Sequence, residues 1–540
     1  FNLGGMLQSM SSILNGNTQH YVKQLGYDKF EQNIYVKYGN NTETTYTYEA
    51  DRRRLQNLDA KSASGSEFMK NTYTYDKVGN IKSITNVPNL SQGQAMGGAS
   101  SYKFTYDDMY RLTKANGNFT DTDKKEHKYT LGMNYNNAHA ITRKSQTHTI
   151  AGSTQDNTAY EYLYKYEGSQ PHAPTTLMAT NNNIDTDRMY TYDANGNQLN
   201  YSASGCEFRA YSWDEENRLM LVTDDDEEHF YTYDANGDRI IKNTQPLVAP
   251  TSPPAPGSLA ALQNYTVYIN PYVVVRNGAV TKHFYTEGRR ICSKLSGDYD
   301  VTNGSINEPV NALTYYFHPD HLGNSSYISD ASGEVSQHIE YFPFGEVFIE
   351  EQNNTYNTPY LFNGKELDDK TGLYYYGARY YDPVLSNWLS VDPLAEKYPS
   401  WSPYNYTLNN PLKYIDPDGR TPLDPPGLTL NPIRLLNNVK KAAKKVGEFV
   451  IISIGAITQI GDHHVAANAE RLGNDELAHE LRQGADNAIV TVAFDAALGF
   501  GIGRVFRCAS NGLAKVDLMG GPKGTKGYLN YDMQATSGIV

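Results

Sequence analysis

The sequence predicts a mainly β chain, one repetitive sheet followed by a shorter α-rich segment. Three observations lead there. An aromatic-x-Tyr/Trp-Asp/Glu pattern recurs before residue 245. A stretch dense in Tyr, Asn, Pro, Gly and Asp, Pro359–Arg420, ends abruptly. Beyond it Tyr almost vanishes, and Ala, Ile and Val take over in helical rhythm.

The repeats come first. They are YTYEADRRRL from Tyr46, YTYDKVGNIKSI from Tyr73, FTYDDMYRLTKA from Phe104, YTYDANGNQL from Tyr190, YSWDEENRLM from Tyr211 and YTYDANGDRII from Tyr231. Less regular copies lie around Tyr135 and Tyr162–Tyr166. Adjacent copies are about 20–30 residues apart, the period of a solenoid or array. Alternation along a strand puts both rings of Tyr-Thr-Tyr on one face. Asp followed by Asn-Gly (Asp193–Gly196, Asp234–Gly237) is turn chemistry, because Asp bonds its own backbone and Gly accepts positive φ. Each unit therefore reads as strand, tight turn, strand. A lone hairpin is marginal in water, whereas stacked hairpins bury their rings continuously. An ordinary β-sandwich with coincidental hairpins is the competing reading. Residues 245–262 (QPLVAPTSPPAPGSLAAL) read as an exposed linker, and strands resume at Tyr265.

Bulk numbers narrow the function. The 540 residues carry a formal net charge of −13, the first 420 carrying about −14 and the rest about +1. An acidic body argues against nucleic-acid binding there, since phosphate contacts need Lys and Arg. Three scattered cysteines, Cys206, Cys292 and Cys508, make neither a disulfide framework nor a Cys-rich zinc site. Phe1 in place of Met reads as a fragment or a processed piece, and no signal peptide is visible. With 45 Tyr, the interior should be filled by rings rather than aliphatic side chains.

The repeats resemble the YD repeats of the rearrangement-hotspot (Rhs) proteins. Tyr315–Glu346 and Pro359–Arg420 resemble the Rhs repeat-associated core, so the likeness covers roughly residues 40–420. Relatives include the C-component of insecticidal Tc toxins and the barrel of teneurins. The resemblance implies a spiralling YD-repeat β-shell over residues 1–310, here a partial one, and a core plug over 311–420. A variable C-terminal effector region, 421–540, would be held inside and is cut short in this sequence. It implies a secreted or cell-surface protein of bacterial competition, with a cognate immunity protein and secretion machinery as partners. Closing a sheet into a wall hides its edges, which otherwise invite aggregation.

Self-cleaving relatives use two aspartates in DPxG-like motifs. The matching positions are Asp392 (DPLA) and Asp416 (DPDG), with cleavage expected at Arg420–Thr421. Two carboxylates brought together resist ionising together, which gives an acid/base pair that can activate water and protonate the leaving amine. Ala395 stands where the first motif usually has Gly, and Arg420 where Leu is common at the cut. Both Asp-Pro pairs also read as plain turn formers. Asp382-Pro383 reads as structural, and Arg379 as a partner for one of the two carboxylates. His318 and His321 (HPDHLG) have a metal-like spacing, yet the family match makes them plug or turn residues. No metal and no cofactor is expected in the body.

In residues 421–540, Lys440, Lys441, Lys444 and Lys445 share a helix face, either a solvated face or a stripe for nucleic acid or membrane surface. Glu476 and His479 have an i, i+3 spacing without a second such pair. Residues 488–506 approach a membrane span in length, interrupted by Asp495 and Arg504, and read as a packed helical module or an inserting hairpin. Gly520, Gly521 and Gly524, with Asp532 after the next strand, form a weak nucleotide-type pattern faintly like the opening of S-adenosylmethionine-dependent methyltransferases; an ordinary hairpin is the alternative.

Two functions compete on these grounds. One is a polymorphic toxin whose shell encloses an effector. The other is a non-enzymatic surface protein whose aromatic faces bind glycans or partner cells. The compositional break at Arg420 favours the first.

Overall fold

The computed structural model describes residues 6–14, 17–91, 94–180, 187–203, 208–247, 264–300, 305–306, 313–353 and 356–423. Among them, one antiparallel sheet of 29 strands runs from Met10 to Gln352. Along almost all of its length each strand pairs with its neighbours in sequence. A second sheet of four short strands spans Glu366–Trp388. Strand Arg239–Pro246 runs two residues into the Pro-rich segment expected to be linker; residues 248–263 lie outside the described set. The region expected to be an α-rich effector is described only to Leu423, so its helices, its lysine face, Glu476, His479, Gly520, Gly521, Gly524 and Asp532 lie outside the described residues.

The repeat chemistry explains the wall. The first aromatic of each unit faces inward and is buried, as at Tyr46, Tyr73, Phe104, Tyr190, Tyr211 and Tyr231. The second sits at a β-bulge, where the register shifts (Thr47/Tyr48, Thr74/Tyr75, Thr105/Tyr106, Thr232/Tyr233). A bulge bends its strand and re-aims a side chain. Here it aims the hydroxyl at the preceding unit. Tyr75 donates to the Leu55 carbonyl (2.7 Å), Tyr106 to Ile81 (2.8 Å), Tyr135 to Leu112 (2.6 Å) and Tyr233 to Leu219 (2.7 Å). Trp213 does the same with Nε1, to Gln198 (2.7 Å). A phenol or indole N–H at this position thus stitches one hairpin to the last.

The acid that comes next closes its own turn. Asp76 Oδ1 accepts from the amides of Val78 and Asn80, Asp107 from Met109 and Arg111, and Asp234 from Asn236 and Asp238. The fourth turn residue has positive φ, which is why Gly79, Gly196 and Gly237 appear there. The repeat arginine faces the other way. Arg111 pairs with its own Asp107 (2.8 Å), donates forward to the Asn136 carbonyl (3.0 Å) and lies over the Tyr135 ring. Arg54 and Arg218 repeat the arrangement with Glu49 and Asp214. One residue reaches back and one reaches forward, so the units add in a fixed register.

The sheet also folds over itself. Tyr21 stacks on Phe284 with centroids 3.7 Å apart, Phe68 packs on Tyr327, and Asn40 donates to Ser329 Oγ and the Asp330 carbonyl. Inner faces nearly 300 residues apart in sequence therefore share one aromatic core, which takes in Tyr374, Tyr381, Trp388 and Tyr406 of the segment after the sheet.

Candidate active site at the end of the core segment

The four-stranded segment is pinned to the wall by buried charge. Glu366 accepts from Arg239 (3.0 Å), Lys242 (3.0 Å), Arg276 (3.1 Å) and the Tyr268 hydroxyl (2.8 Å). Asp368 accepts from Arg239 (2.8 Å) and Lys242 (2.7 Å). Burial would raise the Glu366 carboxyl, but the three cations hold it down at about 2. Lys144, fully buried, bonds Glu346 (2.8 Å) and the carbonyls of Pro383 and Val384 (3.0 Å each). Asp382 accepts from the amides of Val384 and Leu385, so the Asp382-Pro383 pair is a turn anchored to the wall.

The next limb lies along the repeat turns. Tyr404 donates to the Gly196 carbonyl (2.7 Å), Asn409 to His139 (2.8 Å) and Asn410 to Tyr110 (2.8 Å), while Trp401 stacks on His139 (4.0 Å). The turns that close each repeat are thereby a docking surface for the limb that joins Asp392 to Asp416.

These supports bring Asp392 and Asp416 to one guanidinium nitrogen. Arg379 Nη2 lies 2.8 Å from Asp392 Oδ2 and 3.3 Å from Asp416 Oδ2. The same side chain donates from Nε to the Gly419 carbonyl (2.5 Å) and from Nη1 to Pro403 (3.2 Å), and lies over the Trp388 ring. Arg379 thus meets both aspartates, where the sequence had offered it to one. A cation between them differs from a bare carboxylate dyad, because it lets both ionise. Burial nevertheless raises the Asp392 carboxyl; Arg379 opposes the rise and the Asp416 charge adds to it. Burial lowers the Arg379 guanidinium from its ordinary value.

Asp416 Oδ1 accepts from the amides of Gly419 (2.8 Å), Arg420 (3.0 Å) and Thr421 (3.2 Å). The Arg420–Thr421 peptide is therefore tethered to Asp416 by its own N–H and by the one before it. Beyond it, Ile415 and Leu423 exchange two backbone bonds (2.8 and 2.7 Å), closing the loop into a small hairpin. Beside the carboxylates is a cavity of about 20 Å³ lined by Arg379, Asp392, Ser402, Asn405, Asp416 and Pro422. That is room for about one water.

The second motif requires its glycine and the first does not. Gly419 has φ +75°, and a Cβ there would lie 2.9 Å from the Arg379 amide nitrogen. Ala395 opens a short 3-10 helix, Ala395–Lys397, and is not among the positive-φ residues. The sequence motif alone cannot reveal this asymmetry.

His318 and His321 belong to the core rather than to this cluster. His318 bonds Ser329 (2.9 Å) and Thr44 (3.3 Å), with burial drawing its pKa down to about 3; His321 bonds the Leu412 carbonyl (3.1 Å). Among the described residues no group of three His, Cys, Asp or Glu is disposed to hold a metal, and no helix is long and apolar enough to cross a membrane. Cys292 is buried and free; Cys206 and Cys508 lie outside the described residues.

Comparison with known proteins agrees with this architecture. Residues 272–412 match the Teneurin YD-shell family. The chain is 28% identical over 468 residues to the toxin subunit YenC1 of Yersinia entomophaga, covering 78% of this chain and 45% of that protein. It is 25% identical over 290 residues to the tRNA3(Ser)-specific nuclease WapA of Bacillus spizizenii, 49% of this chain and 11% of that one. The crystal structure of TcdB2-TccC3-Cdc42 superposes with a TM-score of 0.61 at 22% identity, covering 81% of this chain and 20% of the other, a likeness of fold. The chain spans about half the length of YenC1. Tyrosine-stitched hairpins, one continuous wall and these matches support an Rhs/YD-shell family protein.

Proposed function

We propose that this chain is the shell and plug of a secreted toxin, and that it cuts itself at Arg420–Thr421 to free the segment beyond. The observation that carries the reading is the Asp392–Arg379–Asp416 cluster, with the Thr421 amide 3.2 Å from Asp416. In the reaction, a water oxygen bonds to the Arg420 carbonyl carbon and a proton passes to Asp416, which already accepts from the loop amides and Arg379. The C–N bond then breaks as Asp392, in its protonated form, gives its proton to the Thr421 nitrogen. The products are an Arg420 carboxylate and a Thr421 amine. Burial raises the Asp392 carboxyl, which suits it to hold the proton that the second step needs. Arg379 keeps both acids in place through one nitrogen.

Encapsulation is supported by the wall chemistry and by the company the chain keeps: one relative is named a toxin subunit and another a tRNA nuclease, similar bodies on proteins of different named activity. A cognate immunity protein and a secretion system are part of this reading. The test is direct. The full chain, expressed and run on a denaturing gel, should give two bands whose masses meet at residue 420. Asp392→Asn and Asp416→Asn should each leave one band. A wild-type chain that stays whole sinks the protease role.

A further inference from the structure

Besides Arg379, Lys365 also reaches the Asp416–Arg420 loop. Its Nζ donates to the Pro417 carbonyl at 2.5 Å, and the ammonium lies 5.2 Å from the centre of the Tyr376 ring. Tyr376 is itself fixed by a bond from its hydroxyl to Asn363 (2.9 Å), and Asn363 bonds Asn324 of the wall. The loop is thus held at three successive carbonyls: Pro417 by Lys365, Asp418 by the Ala378 amide (3.0 Å), and Gly419 by Arg379. Those contacts set the curl that turns the amides of Gly419, Arg420 and Thr421 toward Asp416 Oδ1.

We propose that Lys365 is a positioning residue for cleavage: by gripping the Pro417 carbonyl it presents the Arg420–Thr421 peptide to Asp416. This rests on the self-cleavage reading above. Lys365 acts through the loop rather than on the peptide that breaks, and a charge-assisted bond to a carbonyl is the strong kind. The groups facing its ammonium are Asp416 and Asp418, which favour the charge, and Arg290, which opposes it; burial outweighs them and draws its pKa down to about 8.

The test follows cleavage of full chains pulse-labelled in a cell-free translation reaction. Lys365→Met, which keeps the stem and removes the charge, should slow cleavage by about two- to fivefold, what a partly exposed charged contact contributes. Thermal unfolding of the same chain should be little changed, and Lys365→Arg should recover most of the rate. Cleavage of Lys365→Met at the wild-type rate overturns the inference while leaving the protease standing; a wild-type chain that never cleaves removes the protease itself. Should Lys365→Met fail to fold, the alkaline limb decides. Wild-type cleavage should fall as pH rises past about 8, and Lys365→Arg, which stays charged, should lack that fall. Identical alkaline limbs in the two overturn the proposal.

Discussion

Replacing Glu366 by Gln tests how the core segment is locked to the wall. Glu366 is 4% exposed and receives Arg239, Lys242, Arg276 and the Tyr268 hydroxyl. Glutamine keeps the shape and removes the charge. Arg239 and Lys242 then share Asp368 alone and Arg276 loses its carboxylate, an imbalance of charge at the site. The carboxyl is held from 4.5 down to about 2, which at 1.36 kcal/mol per pKa unit corresponds to about 3 kcal/mol. Breaking a buried pair by removing one partner costs about the same, 3–5 kcal/mol. The pH dependence has a definite sign. A depressed carboxyl contributes stability that is full above its unfolded pKa and is lost as pH falls toward the folded value. The difference between wild type and Glu366→Gln should therefore be full above about pH 4.5 and shrink toward about pH 2. The assay is amide hydrogen exchange in strands Glu366–Asp368 and Leu373–Tyr375. At neutral pH, about 3 kcal/mol raises exchange through local opening by roughly a hundredfold. Exchange in those strands that is the same in both proteins would refute the reasoning, because it would mean the network is neutral and aromatic packing alone holds the segment.

The geometry carries two further outcomes. Gly419→Ala should block the split at residue 420 on a denaturing gel, since its Cβ would meet the Arg379 amide at 2.9 Å with φ at +75°, whereas Ala395→Gly should leave the split in place. His338 is buried, which alone would lower its pKa, but Glu351 (2.7 Å) and Glu340 (3.3 Å) outweigh that and raise it to about 9. Its contribution should be complete below the unfolded value near 6.5 and fade as pH rises through about 9, so denaturant midpoints should decline over that window in the wild type and stay flat in His338→Gln.

The repeats made the wall legible before any coordinates. Tyr-x-Tyr-Asp with a later Gly or Arg states the strand, the turn and the buried face, because each of these is a local matter of period, Asx bonding and positive φ. Its finer purpose was not legible. That the second Tyr bonds the unit behind and the Arg grips the unit ahead depends on how the bulge aims each side chain, and on a neighbour about 20 residues away. The break at Arg420 was plain in composition, while nearly all of the chain past it lies outside the described residues. At the candidate site, the motif pointed to Asp392 and Asp416. Only the fold brought both to one nitrogen of Arg379, because that meeting depends on Tyr404, Asn409 and Asn410 lying along turns 200 to 300 residues earlier in the chain. Lys365 carries no signal that separates it from other Lys, and Gly419 is marked only as the last residue of its motif. Their significance is a distance to a backbone atom, and such distances exist only once the chain has closed on itself.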